Sequence, residues 1–375
     1  MKEFWKNLTL KQIILAITTA FSLLVFVILT VVSSSLAGGL EAQNMAERWS
    51  KDGGVSQISC FFAQGSGVDE NTIKGFEHAL DAALQEASIT SESPNAGARL
   101  WADAYSMSGK LIIVGNSGQM ELNALGVGGD FFLFHPLKLL AGSFFSGSDL
   151  MQDHIVIDED IAWQLFGSND VVGQQVTIDG IPHLISGVIR RDSGRMNDNA
   201  GNGSSIVYVS FETMSRNRIM RGQAAEINQY EIVMPNPVSE FALGMVRENI
   251  SIEENEVEII ENTTRYRLLP LLKILGNFGV RSMNGKAIIY PYWENLARGY
   301  EDILALLLIF RILFLLYPAV MFLILVVYLW KHRKWHFKDV KEFLVRGLEK
   351  LREKRKRKKD KPIEEEEFDE EEPWL

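Results

Sequence analysis

Apolar and polar positions along the chain follow three different rhythms. Ile13 to Val32 is twenty residues without a charge, long enough as a helix to cross a hydrocarbon core of about 30 Å. A second apolar run goes from Ile303 to Trp330, interrupted by Arg311, and Pro318 marks a potential kink. Ile312 to Trp330 alone suffices to span, which leaves Arg311 at the outer interface. A cleaved signal peptide ending near Ser35-Leu36-Ala37 is the rival reading of the first run. Signal cores are usually about 7–15 residues, so an uncleaved anchor is favoured.

Between the runs, alternation and helical spacing take turns. A short helix over Glu41–Lys51 is expected to continue the first span. Val55–Ala63 reads as a strand. Asp69–Ala87 carries Ile73, Phe76, Leu80 and Leu84 at helical spacing, with Asp69 or Asn71 as N-cap. Strands follow at Arg99–Met107, Lys110–Gly115 and Gln119–Leu125, with turns at Ser108-Gly109 and Ser117-Gly118. His154–Ile157 is a short strand, and Asp158 caps a helix closing at Phe166-Gly167. Gln175–Ile178 and His183–Arg190 pair across Asp179-Gly180. Arg191–Ser204 is a Gly/Asn/Asp/Ser-rich loop, and Ile206–Phe211 returns as a strand. Tyr230–Met234, a helix begun by Pro237, and Val257–Ile260 repeat the opening pattern.

The predicted fold class is therefore an α+β extracytoplasmic domain of two βαβ-type halves with an inserted β-rich subdomain, anchored by two transmembrane helices. The expected boundaries are 1–36 for the N-terminus and first span, and 37–300 for the ectodomain, with the insertion at about 145–215. Residues 301–330 form the stalk and second span, and 331–375 a cytoplasmic tail. On the stalk, Trp293, Leu296, Tyr300, Ile303 and Leu307 fall on one helical stripe.

Charge gives these spans a direction. Lys2, Lys6 and Lys11 precede the first span, and Lys331, Arg333 and Lys334 follow the second, which places both termini in the cytoplasm. Residues 37–330 hold 34 Asp and Glu against 20 Lys and Arg, within a chain of net charge −10. So acidic an ectodomain argues against nucleic acid as a partner. Residues 331–361 hold 15 Lys and Arg around Phe337, Val340, Phe343, Leu344, Leu348 and Leu351. That pattern suits a basic amphipathic helix on anionic inner-leaflet lipids. Glu364–Glu372 is an acidic tail of disordered composition.

Candidate chemistry is sparse. The single cysteine, Cys60, excludes an intramolecular disulfide and reads as a buried strand residue. Walker A, His-Glu-x-x-His and Gly-x-Ser-x-Gly patterns are absent from the sequence. Of the six histidines, His332 and His336 face the cytoplasm, and neither His135 nor His183 has a partner at ligand spacing; Asp158, Glu159 and Asp160 suit capping better than an acid–base pair. The 192–202 loop lacks the alternating acids of a calcium loop. Sequons at Asn202, Asn249 and Asn262 are weak patterns. No catalytic, cofactor-binding or metal residue is assigned, no cofactor is expected, and the chain reads as non-enzymatic.

The densest pattern is Gly128-Gly129-Asp130-Phe131-Phe132, His135-Pro136-Leu137 and Leu140-Ala141-Gly142-Ser143-Phe144-Phe145. It continues through Asp149, Val156-Ile157-Asp158-Glu159-Asp160, Ala162, Leu165-Phe166-Gly167, Val172-Gly173 and Ile185-Ser186-Gly187-Val188. This series resembles the MacB-like periplasmic core domain of certain ABC transporter permeases, with Ser143 where that family usually has Arg. The resemblance implies a non-catalytic ectodomain that contacts partners or substrates and works with a separate ABC-type ATPase subunit. Family permeases usually have four spans, three of them after the ectodomain, against one here. A permease-like or accessory component of an ABC-type transporter, relaying movement through the stalk helix and working with another permease chain, is the matching expectation. A two-span receptor with a signalling tail is the alternative, and a surface enzyme a distant third.

Overall fold

The computed structural model describes residues 9–90, 99–250, 252–281 and 285–331. The basic segment and acidic tail expected at 331–375 lie outside the described residues, apart from Lys331. The chain divides into two compact units, residues 24–313 and residues 1–23 with 314–375.

In the larger unit, ten strands make one sheet. These are β1 (Val55–Phe62), β2 (Ala102–Gly115), β3 (Gly118–Gly129), β4 (Lys138–Gly142), β5 (His154–Asp158), β6 (Gln175–Ile178), β7 (Ile181–Arg190), β8 (Ile206–Ser210), β9 (Gln229–Pro235) and β10 (Val257–Glu261). Their order is β10-β1-β9-β2-β3-β8-β5-β7-β4, and β6 pairs with both β2 and β7. The first four strands interleave two split βαβ units. Their crossovers carry helices α3 (Glu70–Glu86), between β1 and β2, and α7 (Phe241–Asn249), between β9 and β10. On the other side of β2–β3, the sheet returns on itself through β8, β5, β7 and β6, the last closing onto β2 at Ile113–Ile178 and Val114–Thr177.

The expected turn at Ser108-Gly109 is not there. β2 runs through it as one fourteen-residue strand, because Ser108 and Gly109 pair with Leu125 and Ala124 across the hairpin. Glycine suits this ladder for steric reasons: a Cβ at Gly128 would fall 2.3 Å from the Tyr105 ring. The hairpin, about 45 Å long, is shared by both halves of the sheet.

Capping was legible. Asp69 and Thr72 form a capping box on α3. Asp158 accepts from Ile161 N at 2.9 Å to start α5 (Glu159–Phe166), and Gly167 ends it in the left-handed region. Four elements escaped the periodicity: β4, the single-turn helix Phe131–Phe134, α6 (Phe211–Met220) and α8 (Leu268–Gly276). The 191–204 loop contains helical turns over Arg195–Asn202.

The short helix after the first span does not continue it. α1 (Leu10–Gly38) stops at Gly38, and a 3-10 turn (Glu41–Gln43) precedes α2 (Met45–Trp49). The Asn44 side chain donates to the carbonyls of Ala37 and Gly38 at the end of the helix, and Leu40 N also donates to Ala37. Between α3 and α6, α4 (Phe131–Phe134) is a single turn. The last helix, α9 (Tyr292–Lys331), is 40 residues long with Pro318 inside it.

In the smaller unit, α9 carries through Pro318. Proline has no N–H for the carbonyl of Phe314, four residues back. The Ser22 hydroxyl of α1 donates to that carbonyl at 2.7 Å, and Thr18 Oγ1 lies 2.8 Å from Tyr317 Oη one turn away. A polar side chain on a neighbouring helix thus satisfies the group that proline freed.

Candidate functional site

The site lies where the first turns of α9 meet the sheet. The strands β1 and β9 run antiparallel with Ser59 opposite Glu231. Alternation sends Ile58, Cys60, Tyr230 and Ile232 to one face, and Gln57, Ser59, Gln229 and Glu231 to the other. All of these side chains are buried.

The second face is polar yet dry, and its hydrogen bonds form a chain. Arg265, just beyond β10, is 3% exposed and makes a two-pronged pair with Glu294, both contacts 2.7 Å. Its Nε donates to Glu301 at 2.5 Å, and its Nη1 donates to Asn262 Oδ1 at 3.2 Å. Asn262 Nδ2 donates to Ser59 Oγ at 2.8 Å, and Ser59 donates to Glu231 at 2.7 Å. Glu231 also accepts from Gln229 at 2.9 Å and pairs closely with His135 Nε2. The His135 ring then packs against Trp293, centroids 4.3 Å apart, and against Phe131 at 4.5 Å. Trp293 and Glu294 are adjacent on α9, so the chain starts and finishes on the same helical turn.

Further ion pairs brace the outside. Arg298 joins Glu294 at 2.8 Å and Glu258 at 2.7 Å, and its guanidinium lies 3.8 Å over the Tyr290 ring. Arg281 pairs with Glu301 and with Asp302, the latter at 3.1 Å. Burial works against the charge on Arg265, but Glu294 and then Glu301 outweigh it and hold the guanidinium above its ordinary pKa. Burial raises the Tyr290 hydroxyl, and its bond to Glu258 adds to that.

The expected apolar stripe on α9 is rotated. Trp293 does face inward, but its buried companions are Glu294, Ala297, Glu301, Leu304 and Leu308 rather than Leu296, Tyr300, Ile303 and Leu307. Two carboxylates point into the protein because Arg265 is there to meet them. A sequence signal existed: Glu294, Arg298 and Glu301 recur at helical spacing, and Glu231 sits in the otherwise apolar run Tyr230–Met234.

The residues weighed for chemistry have structural partners. Cys60 is fully buried, and burial followed by the Glu231 charge pushes its thiol up. His183 hydrogen-bonds with the Ile181 carbonyl at 3.0 Å and with Thr213 at 3.1 Å. Asp158 and Asp160 share Arg191, and Glu159 takes Arg190. Among the described residues, no group of three His, Cys, Asp or Glu side chains is placed to hold a metal ion.

A sequence profile of the MacB-like periplasmic core domain matches residues 13–256, well over half of the chain. The chain belongs to that family. A curated relative, the macrolide export ATP-binding/permease protein MacB of Chromobacterium violaceum, is 30% identical over 99 residues. That match covers 25% of this chain and 15% of the relative, so the chain matches a small part of that protein's length. The periplasmic region of MacB from Actinobacillus actinomycetemcomitans is 14% identical at a TM-score of 0.37, covering 61% of this chain and 94% of that one. The extracellular domain of the noncanonic ABC-type transporter YknZ from Gram-positive bacteria is 15% identical at 0.33, covering 54% and 99%. With α1 and α9 both long and apolar enough to cross a membrane, this MacB-like chain is a membrane protein with an extracytoplasmic domain.

Proposed function

We propose that the chain is a non-catalytic, permease-like or accessory component of an ABC-type transporter, whose ectodomain binds a partner or substrate and relays movement through α9. The supporting observation is that Glu294 and Glu301, which anchor the buried polar chain through Arg265, sit on the same unbroken helix as the second apolar run, Tyr292–Lys331. At 1.5 Å per residue that helix is about 60 Å long. Its first turns are fixed to β1, β9 and β10 by groups that cannot be separated without leaving charges buried and unpaired. A displacement at the membrane end of such a helix moves the sheet with it.

In this reading both termini are cytoplasmic and residues of about 37–300 lie outside. The partners are an ABC-type ATPase subunit and another permease chain. The basic segment 331–361 rests on anionic inner-leaflet lipids.

Purification of the full tagged chain from its native membrane in mild detergent, with mass spectrometry of what accompanies it, tests the reading. Near-stoichiometric recovery of an ATPase subunit is expected. Recovery of the chain alone or as a homo-oligomer, even after cross-linking, overturns the transporter reading and leaves a two-span receptor in its place.

A further inference from the structure

Helix α8 has the wrong surface for a helix in water. Its sequence, Leu-Leu-Pro-Leu-Leu-Lys-Ile-Leu-Gly, has Lys273 as its lone charge. Only part of it is covered: Leu271 is buried and Ile274 and Leu275 pack inward, while Leu268, Leu269 and Leu272 are exposed. The exposed apolar surface continues past the helix end through Phe278 and Val280. A helix apolar on every side belongs in a core or in lipid, and a contiguous exposed patch of this kind marks a contact surface.

What α8 packs against identifies the contact. Leu271, Ile274 and Leu275 join Leu36 and Ala37 of α1, and Leu304, Ala305 and Leu308 of α9, in one cluster. Leu36 and Ala37 lie four and five residues beyond Val32, at the outer end of the first apolar run. Leu304 to Leu308 lie seven to three residues before Arg311, about 5–10 Å along the helix. Both positions correspond to the interfacial layer between hydrocarbon and water. The exposed cations Arg267 and Lys273 sit at the start and within the last turn of α8, where they can reach headgroup phosphates.

We infer that α8 and the Asn277–Val280 segment form an outer-leaflet lipid-binding surface, lying in the membrane interface beside the two spans with Leu268, Leu269 and Leu272 against the acyl-chain boundary. The inner face of α8 packs on Leu36 and Ala37 of α1 and on Leu304, Ala305 and Leu308 of α9, at the ends of the two apolar runs, which favours lipid over a protein partner. This inference goes beyond the transporter reading and needs no ATPase to be tested.

The full chain, carrying Leu269→Cys labelled with an environment-sensitive nitrobenzoxadiazole, is reconstituted into phosphatidylethanolamine–phosphatidylglycerol vesicles. Native Cys60 is fully buried and stays unlabelled. Leu272→Cys reads the same face, and Ser117→Cys at the far hairpin tip is the control. A blue-shifted emission at 269 and 272 is expected, with quenching by lipids carrying a nitroxide near the headgroup exceeding that by a chain-end nitroxide. The tip label stays unquenched by both. Loss of lipid quenching at 269 and 272 overturns the inference, whether the labels report water or the cover of a second copy. Equal quenching at residue 117 overturns it as well.

Discussion

The two faces of the β1–β9 pair differ by one residue of register and by nearly everything in their chemistry. On one face, Ile58, Cys60, Phe62, Tyr230, Ile232 and Met234 meet α3 and α7 in an apolar layer with Phe76 and Leu80. On the other, Gln57, Ser59, Gln229 and Glu231 are just as buried, but they face α2 and the base of α9. Gln57 alone accepts from Met45 N at 2.8 Å and donates to the Ala42 carbonyl at 2.6 Å. An apolar layer tolerates small shifts, since dispersion and burial are not directional. The polar face does not. Turning α9 by one residue would take Glu294 and Glu301 off Arg265 and strand three buried charges. The first face thus supplies stability, and the second fixes one seat for the helix that leads into the membrane.

The sharpest way to break that contrast is Arg265→Met. It leaves Glu294 and Glu301 buried without their main partner, an expected loss of about 3–5 kcal/mol. On the apolar face Leu80→Ala costs about 2–5 kcal/mol by opening a cavity. Denaturation of the full chain in detergent measures both losses. Cross-linking between α9 and β10 separates the variants: the contacts around residue 294 are expected to loosen in the Arg265 variant alone. Equal loosening in both would mean that the polar face has no special role in seating α9.

Ser59→Ala is the next step down. It removes a donor from Glu231 and an acceptor from Asn262 inside the polar chain, for an expected loss of about 1–3 kcal/mol. The same substitution at exposed Ser117 is expected to be near neutral. A neutral result at Ser59 would show that the chain of bonds is not cooperative.

A pH-dependent contrast concerns an exception on the apolar face. Asp103 is buried with one carboxylate oxygen unpartnered. Burial, then the nearby Glu77 charge, raises its pKa to about 8. The folded state favours the neutral acid, so this contribution is complete below the ordinary carboxylate range of about 4 and is lost as pH rises through about 8. Between pH 5 and 9, the melting temperature of the native protein is expected to fall further than that of Asp103→Asn. Parallel curves would mean that Asp103 is ionised throughout.

Much of this protein was legible in the sequence because its causes are local. Capping by Asp69 and Asp158, the left-handed end at Gly167 and the spacing of Ile73, Phe76, Leu80 and Leu84 act within a few residues. The two long apolar runs needed only their length. The polar face was a different matter. Ser59, Glu231, Asn262, Arg265 and Glu294 are spread over more than two hundred residues, and alternation reads each strand polar as solvent-facing. Whether such a side chain meets water or a partner depends on what the sheet brings beside it. Likewise Ser108-Gly109 looks like a turn until Ala124 and Leu125 pair with it, and the inward face of α9 is set by Arg265 rather than by the apolar stripe. Sequence by itself determined the elements, their caps and the two membrane-length helices, since these follow from short-range sterics and hydropathy. Tertiary structure alone decided which polar groups are buried together and which way α9 faces, because a buried charge is stable only where the fold delivers its counter-charge.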